Sequence, residues 1–270
     1  MIKLDKVSKK FGTGVLGLTE ISLIVDKGEF VFLVGPTGSG KTTLLRLLIR
    51  DSLPSEGNIF INEFDLVKFP KGKLSAFRKK IGVVFQDLKL LADRTIFENV
   101  VLPLEVSGEN SKNAAQKVEE VLRQVGLIEH KDKFPIQLSG GELQRTAIAR
   151  ALILSPEILL ADEPTGNLDA ATSWEIVKLL SDINKTGTTI IMATHNIDIV
   201  KSMNKRVVHL EKGRIVKEEK DHHEEKKHVE KKDEDESKEE VVEKKEDKHE
   251  KEEHDKVEVD KEKLEKEDNK

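Results

Sequence analysis

The segment GPTGSGKT, residues 35–42, places glycines, one lysine and one threonine at a spacing that can hold phosphate. It fits the pattern G-x-x-x-x-G-K-[ST], with an apolar run before it and a helical pattern after it. Glycines let backbone N–H groups curl around phosphate oxygens, Lys41 reaches the β- and γ-phosphates, and the Thr42 hydroxyl is a ligand for Mg²⁺. The segment therefore predicts a nucleotide-binding loop rather than an ordinary glycine-rich turn.

A pair of carboxylates at the end of an apolar run is the second chemical signal. Residues 158–163 read ILLADE, which predicts a buried strand that ends at Asp162 and Glu163. In P-loop enzymes an aspartate at such a strand end coordinates Mg²⁺. Because the chain can turn just past the strand, Glu163 can face the γ-phosphate and polarise the attacking water. The pair predicts a metal ligand and a catalytic base rather than two solvated acids.

A second glycine-rich turn opens the segment LSGGELQRTAIARAL, residues 138–152, which has helical spacing. Unlike residues 35–42, this turn carries no lysine. The N-terminus of a helix attracts anions through its free N–H groups and its dipole, so a phosphate contact needs no lysine here. A capped helix alone would explain Ser139 but would leave Gly140 and Gly141 without a structural reason.

The elements that must position these groups alternate between strand-like and helical patterns. Short apolar runs predict strands, with a closing hairpin around Lys212 and Gly213, and residues 42–49 predict a helix. The predicted strands are 21–25, 30–34, 59–61, 81–85, 158–162, 189–193, 207–210 and 215–216. No strand is predicted between 85 and 158, where helical spacing runs to Gly126. The pattern predicts an α/β fold with parallel strands covered on both faces and interrupted by a helical insertion.

Composition limits the function classes and divides the chain in two. The 270 residues include no cysteine, which excludes disulfides and thiolate metal sites, and no signal peptide or membrane-spanning run is expected. Residues 1–217 carry a net charge of +5 and residues 218–270 one of −10. The second segment has only six apolar residues, too few to offset the entropy of ordering. It is expected to be a disordered charged tail, which leaves residues 1–217 as the folded domain.

Five motifs occur in an order and at separations that resemble the ATP-binding-cassette (ABC) ATPases. They are GPTGSGKT, Gln86, LSGGE, ILLADEPTGNLD and His195, and the resemblance covers residues 1–217. It implies a P-loop NTPase fold with a RecA-like α/β core, an N-terminal antiparallel β portion and an α-helical subdomain inserted at about residues 87–154. It also implies hydrolysis of ATP to ADP and phosphate with Mg²⁺ as cofactor.

The resemblance assigns the binding and catalytic roles residue by residue. ATP would be bound by Phe11, which stacks on adenine, and by the loop residues Gly35, Pro36, Thr37, Gly38, Ser39, Gly40, Lys41, Thr42 and Thr43. Mg²⁺ would be held by Thr42, Gln86 and Asp162. Catalysis would depend on Glu163 as base, on Gln86 at the metal and the attacking water, on His195 at the γ-phosphate and on Lys41.

The resemblance also implies that each active site is shared by two copies of the chain. In the family two cassettes meet head to tail, so that the signature of one copy caps the γ-phosphate on residues 35–42 of the other. The signature residues are Ser139, Gly140, Gly141 and Glu142. One loop and one signature per chain imply an ATP-dependent homodimer with two composite sites. Asp169, in GNLD, would communicate between them.

Residues 81–108, together with LLADEPTGNLD and MATHN, are most similar to the branch of the family that acts in bacterial cell division. That branch binds an integral membrane protein and regulates cell-wall hydrolysis. The chain would then be peripheral, at the cytoplasmic face of the membrane near the division site, without nucleic-acid partners. A helix of the membrane partner is expected in an apolar groove lined by Leu88, Leu90 and Leu91. The departures from the pattern keep the needed chemistry and are Phe11, Thr37, Thr42 and Asn196.

Three other functions stay open on the sequence. The ATPases of lipoprotein-release and macrolide-export transporters carry very similar motifs. Soluble ABC proteins of translation or DNA repair would have two cassettes in one chain or a long coiled-coil insertion, and the sequence has neither. A nucleotide-dependent scaffold with negligible turnover would carry the same binding motifs, so only measured phosphate release separates it from an ATPase.

Overall fold

A six-stranded sheet forms the centre of the computed structural model, which describes residues 1–12, 14–108 and 113–219. Its strands are β3 (Phe30–Val34), β6 (Ile81–Val84), β7 (Ile158–Asp162), β8 (Thr189–Thr194), β9 (Arg206–Glu211) and β10 (Arg214–Glu219). Their order is β10, β9, β3, β8, β7, β6, and all neighbours are parallel except β9 and β10. Since parallel strands end at the same edge, the segments that follow β3, β6, β7 and β8 meet there.

A second sheet is antiparallel and has four strands. They are β1 (Ile2–Lys10), β2 (Leu16–Val25), β4 (Glu56–Ile61) and β5 (Phe64–Asp65), in the order β2, β1, β4, β5. The periodicity of the sequence predicts no strand before residue 21, which is wrong for β1. The pairing of β1 with β2 shifts register between Leu4 and Val7, and Lys6 has a positive φ of 48°. This irregularity interrupts the alternation by which a strand is recognised.

The helices of the described residues follow the predicted division into core and insertion. They are α1 (Lys41–Leu48), α2 (Leu74–Arg78), α3 (Ile96–Ser107), α4 (Ala114–Gln124), α5 (Gly140–Leu152), α6 (Ala170–Lys185) and α7 (Ile197–Met203). Between β6 and β7, residues 85–108 and 113–157 contain helices α3, α4 and α5 and no strand. Gly126 has a φ of 73° just past α4, as predicted for the residue that ends this helix.

Hydrophobic side chains cover both faces of the main sheet, as predicted. Phe30, Phe32 and Val34 of β3 belong to one buried cluster, whereas Val31 and Leu33 belong to another. Helices α3 to α7 complete the first cluster, and α1, α2 and the antiparallel sheet complete the second. The sheet is therefore held between two layers, as parallel sheets are. The predicted fold class, with its α/β core, antiparallel β portion and helical subdomain, is confirmed.

The boundary at residue 217 needs a correction. Strand β10 continues through Glu219, which pairs with Val207 of β9, so the last two residues of the hairpin belong to the domain rather than to the tail. The turn itself lies at Lys212 and Gly213, as predicted. The predicted disorder of the charged tail lies outside the described residues. Among the residues that are described, no helix has the length and hydropathy needed to cross a membrane.

Candidate functional site

The loop between β3 and α1 has the shape of a phosphate cradle. Gly40 caps α1 with a φ of 110°, and a Cβ at this position would lie 2.7 Å from the Gly17 carbonyl oxygen, so only glycine fits. The Lys41 side chain folds back over the loop, where its Nζ donates to the carbonyl oxygens of Gly35 at 2.7 Å and Pro36 at 3.3 Å. The loop thus places a cation beside the backbone N–H groups at the start of a helix, which attracts anions.

Glu163 lies beside this cation because the chain turns sharply after β7. Its φ is 49°, and its backbone N–H donates to the Ala193 carbonyl oxygen of the neighbouring strand at 2.9 Å. The side chain is only 10% exposed, with Oε1 3.3 Å from Lys41 Nζ and Oε2 2.9 Å from His195 Nδ1. Lys41, Glu163 and His195 come from three separate segments and form one connected set of polar groups.

Thr42 and Asp162 form the part of the site that suits a divalent cation. The Thr42 hydroxyl donates to Asp162 Oδ1 at 3.2 Å. Burial raises the pKa of the Asp162 carboxyl, and the hydrogen bond from Thr42 opposes part of that rise. One carboxylate and one hydroxyl are hard oxygen ligands, and Mg²⁺ is bound by one or two carboxylates together with substrate phosphates and water. The residues present therefore fit Mg²⁺, and a cation here would favour the ionised form of Asp162.

A cleft of about 450 Å³ joins most of the predicted nucleotide-binding residues. It is lined by Phe11, Thr37, Gly38, Ser39, Gly40, Lys41, Thr42, Thr43, Gln86, Glu163 and His195. An adjacent cavity of about 480 Å³ is lined by Thr42, Gln86 and Asp162, so Gln86 and Thr42 border both spaces. The predicted adenine, phosphate and metal residues therefore lie along one continuous surface.

Phe11 stands at the rim of the cleft in the turn between β1 and β2. Its backbone N–H donates to the Val15 carbonyl oxygen at 2.9 Å, and its ring is partly exposed. A Cβ on Gly17 would lie 2.6 Å from the ring, so the glycine leaves room for this orientation. An exposed aromatic face at the mouth of a phosphate cleft is suited to stacking on a base.

Five further residues line the cleft that the sequence reasoning did not single out. They are Val15, Leu16, Gly17, Gly166 and Asn167. Gly166 and Asn167 lie inside the motif ILLADEPTGNLD, so the sequence indicated this part of the chain without indicating these two residues. Val15 and Leu16 are apolar and exposed, and nothing in their pattern distinguishes them from residues of the core.

The signature turn lies outside the cleft of its own chain. Ser139 caps α5, where its hydroxyl accepts from the Glu142 N–H, while the Ser139 N–H and hydroxyl donate to Glu142 Oε2 at 2.7 and 2.8 Å. These two hydrogen bonds lower the pKa of Glu142. None of the signature residues lines the nucleotide cleft. Within one chain the signature is a well-capped helix start.

The expectation that the signature glycines lack a structural reason is wrong for Gly141. A Cβ at Gly141 would lie 2.5 Å from the Thr172 methyl carbon, so any larger residue would force the Thr172 side chain of α6 to shift. Gly140 is less constrained, since a Cβ there would meet a Leu168 methyl carbon at 3.2 Å. Close helix packing therefore explains one glycine without reference to a phosphate.

Asp169 is joined to the signature through the same threonine. It caps α6, with Oδ1 accepting from the Thr172 N–H at 2.9 Å and Oδ2 accepting from the Thr172 hydroxyl at 2.6 Å. These hydrogen bonds lower the pKa of Asp169. The Thr172 methyl also faces Gly141. Thr172 therefore connects the signature turn with the N-cap of α6, the two segments predicted to meet a second copy of the chain.

The structure corrects the residues predicted to line the partner groove. Leu88 and Leu90 pack against the buried helical cluster, Leu91 is 40% exposed, and none of the three lines the groove between the insertion and the core. A groove of about 560 Å³ does lie between the insertion and the core. Its apolar lining includes Phe85, Leu102, Pro103, Val106 and Leu154. Leu88 and Leu90 turn inward because the loop after Gln86 folds against α3 and α5. Further along this segment, Ile96, Val100, Val101 and Leu104 are buried.

Comparison of sequences places the chain among known cassettes. The sequence model of the family described as ABC transporter matches residues 18–166. The cell division ATP-binding protein FtsE of Bacillus subtilis (strain 168) is 48% identical over 219 residues, which make up 81% of this chain and 96% of that protein. FtsE of Escherichia coli (strain K12) is 40% identical over 215 residues, 80% of this chain and 97% of that protein.

Comparison of structures gives the same relationship. The dimeric post-hydrolysis state of an ATP-binding cassette bound to ADP and Pi superposes with a TM-score of 0.74 at 36% identity. The match covers 82% of this chain and 98% of that one. The similarity thus extends over nearly all of the solved cassette.

Proposed function

The chain belongs to the ABC transporter family and is an ATPase, and from this premise we propose that it powers an FtsEX-like complex at the bacterial division site. In this complex a membrane protein of the FtsX type would carry ATP-driven closure across the membrane to regulate cell-wall hydrolysis. The ATPase chemistry rests on one observation, the contact of Glu163 with both Lys41 and His195 beside the Thr42–Asp162 pair. The task in division rests on the relatives named FtsE.

The observed contacts suggest how each side chain would act on ATP. Lys41 would exchange its contacts with Glu163 and the loop carbonyls for the β- and γ-phosphates, where its charge offsets that of the phosphates. Glu163 would then be free to accept a proton from the attacking water, while His195 holds its second carboxylate oxygen. Thr42, Asp162 and Gln86 would hold Mg²⁺, which when bound neutralises charge on the phosphate oxygens.

The proposed active unit is a homodimer. A single chain brings the cradle, the base and the metal ligands together, but its own signature is absent from the cleft. Ser139 and the N–H groups of α5 would therefore serve the nucleotide of a second copy, with Gly140 leaving their approach open. The similarity to dimeric cassettes bound to ADP and Pi supports this arrangement.

The groove between the insertion and the core is the proposed site for a helix of the membrane partner. Its apolar residues include Val106, which is 80% exposed, and its lining carries four basic residues, Arg78, Lys79, Lys89 and Arg150, against one acidic residue, Asp51. An amphipathic helix with acidic residues flanking its apolar face would match this surface. The chain itself would then reach the membrane only through its partner.

Val106→Asp is expected to abolish recovery of the membrane partner and to leave ATP binding unchanged. The charge would be buried against an apolar helix in the complex but solvated in the free chain, so only the complex is destabilised. The matched control is Val216→Asp, at a valine that is 55% exposed on β10 and does not line the groove. The measurements are co-purification of the membrane partner with the tagged chain and binding of ATP by each variant. Recovery of the partner at wild-type levels would rule out this groove.

The same co-purification tests the function itself. We expect the wild-type chain to recover an FtsX-type membrane protein and the pair to release phosphate from ATP. Recovery of a lipoprotein-release or macrolide-export permease instead would replace the division role with a transport role. A pair that binds ATP and releases no phosphate would leave only a scaffold.

Truncation after Glu219 is expected to keep ATP turnover within about twofold of the full chain. The domain would retain all of β10, whereas truncation after Lys217 removes two residues that pair with β9 and should lower thermal stability. The match to the Bacillus subtilis protein spans 219 residues and covers 96% of that protein, close to the length of the longer truncation. The measurements are phosphate release from ATP and thermal unfolding, made on both truncated chains. A large loss of turnover in the longer one would show that residues 220–270 take part in catalysis.

A further inference from the structure

The loop that follows Gln86 adopts an unfavourable backbone conformation. Leu88 and Lys89 have φ angles of 55° and 52°, and neither is a glycine. Two consecutive non-glycine residues in the left-handed region are uncommon, because the side chain crowds the following carbonyl oxygen. Such a conformation persists only where the surrounding structure holds it.

Arg150, in the last turn of α5, holds these two residues directly. Its Nη1 donates to the Lys89 carbonyl oxygen at 2.6 Å, and its Nη2 donates to the Leu88 carbonyl oxygen. Burial of the Arg150 guanidinium lowers its pKa. The cation gives up part of its hydration, and the two backbone carbonyl groups take the place of water as its hydrogen-bond acceptors. The fork of the guanidinium matches two successive carbonyl groups in a way that a lysine cannot.

Asn99 of α3 anchors the next part of the loop. Its side chain is fully buried, with Oδ1 accepting from the Leu91 N–H at 2.8 Å. Its Nδ2 donates to the carbonyl oxygens of Leu91, Arg94 and Thr95 at 3.0, 3.1 and 2.9 Å. The loop is therefore attached to two helices of the insertion, and only Asp87 separates the attached part from Gln86 in the nucleotide cleft.

We propose that Arg150 is a positioning residue that locks the loop after Gln86 to the signature helix α5. The inference rests on the proposed composite sites. Gln86 borders the nucleotide of its own chain, and Ser139 at the other end of α5 would cap the nucleotide of the second copy. With residues 88–89 locked to α5, a displacement of Gln86 on ATP binding moves the signature with it. Without the lock, the loop absorbs the displacement and the two sites lose their coupling.

Arg150→Met tests the proposal, with Arg145→Met as the matched control. Arg145 lies on the same helix and also carries a charged contact, to Glu175 of α6, but does not touch the loop. We expect Arg150→Met to lower kcat about tenfold and to leave KM within about twofold, because the nucleotide contacts are intact. The kcat of Arg150→Lys, whose side chain can reach one carbonyl, should lie between that of Arg150→Met and that of the wild type. Lys89 and Arg150 also line the partner groove, so the full chain is measured without the partner.

A second substitution separates the lock from relief of backbone strain. Glycine adopts a positive φ without strain but supplies no link to α5, so Lys89→Gly in the Arg150→Met background should leave turnover within about twofold of Arg150→Met alone. Recovery of turnover in the double variant would show that Arg150 only offsets strain in the loop. Hydrogen exchange should show the amides of residues 88–91 exposed in Arg150→Met, with residues 41–48 of α1 unchanged.

The proposal is overturned if Arg150→Met equals Arg145→Met in both turnover and exchange, or if Lys89→Gly restores the turnover of Arg150→Met. If Arg150→Met fails to fold, turnover and hydrogen exchange are measured on Arg150→Lys instead. A wild-type chain that forms no dimer with ATP contradicts the proposed function instead. In that case hydrogen exchange of the monomer still decides whether Arg150 holds the loop.

Discussion

Replacing Glu163 by glutamine is expected to slow ATP hydrolysis by at least about a hundredfold while ATP binding is retained. Glutamine keeps the shape of the side chain and can still contact His195, but its amide cannot take a proton from water. The change also removes the negative partner of Lys41, which lies 3.3 Å away, so ATP no longer competes with Glu163 for this cation. The affinity for ATP should therefore equal or exceed that of the wild type.

Because its bound ATP is not hydrolysed, the Glu163→Gln variant should accumulate as an ATP-bound dimer. The measurements are phosphate release, ATP affinity and size-exclusion chromatography with Mg·ATP. Glu157→Gln is the matched control, because Glu157 precedes the opposite end of β7 and pairs with Lys80 away from the cleft. Lys41→Ala, by contrast, should lose ATP binding, since it removes the cation that would contact the β- and γ-phosphates. Near-normal turnover of Glu163→Gln would exclude Glu163 as the base.

Mixing two inactive variants is expected to restore one active site per dimer. Lys41→Ala damages the cradle, and Ser139→Arg damages the signature that would serve the second copy. In a mixed dimer both lesions can fall in one composite site, which leaves the other intact. Each variant alone should trap no nucleotide, whereas the mixture should trap one per mixed dimer. The trapped nucleotide is counted after gel filtration with Mg·ATP.

The cap of α5 requires a second signature variant in this experiment. Ser139→Arg also removes the N-cap, which costs about 1 kcal/mol, so a weakened helix could imitate a lost phosphate contact. Ser139→Asp keeps a good N-cap but places a carboxylate where a phosphate would bind. Both variants should complement Lys41→Ala equally. If neither mixture traps more nucleotide than its parents, the head-to-tail arrangement is wrong.

The groups that carry chemistry are predictable because their spacing is local. The loop of residues 35–42 and the strand that ends at Asp162 each form within one short segment, so residue order alone indicates their geometry. The strands around them are apolar and regular, as Phe30–Val34 and Thr189–Thr194 show. The place of Glu163 beside Lys41 follows once the strands are parallel, since their ends share one edge.

Contacts between segments distant in the chain were not predictable in this way. Strand β1 depends on partners in β2 and β4 that tolerate its irregular register. The inward turn of Leu88 and Leu90 depends on α3 and α5, which lie further along the chain. The Gly141–Thr172 approach and the Arg150 contacts join residues with no shared motif.

The sequence by itself determined the α/β character of the core and the nucleotide-binding loop, because these depend on periodicity or on residue types within a few positions of one another. The antiparallel portion and the roles of Gln86 and His195 were implied by the resemblance to the ABC ATPases. Only the tertiary structure decided which apolar residues line the groove, why Gly141 is needed and what holds the loop after Gln86. The reason is physical: side-chain direction and helix-to-helix distance are set by close packing of the whole domain, which no single segment encodes.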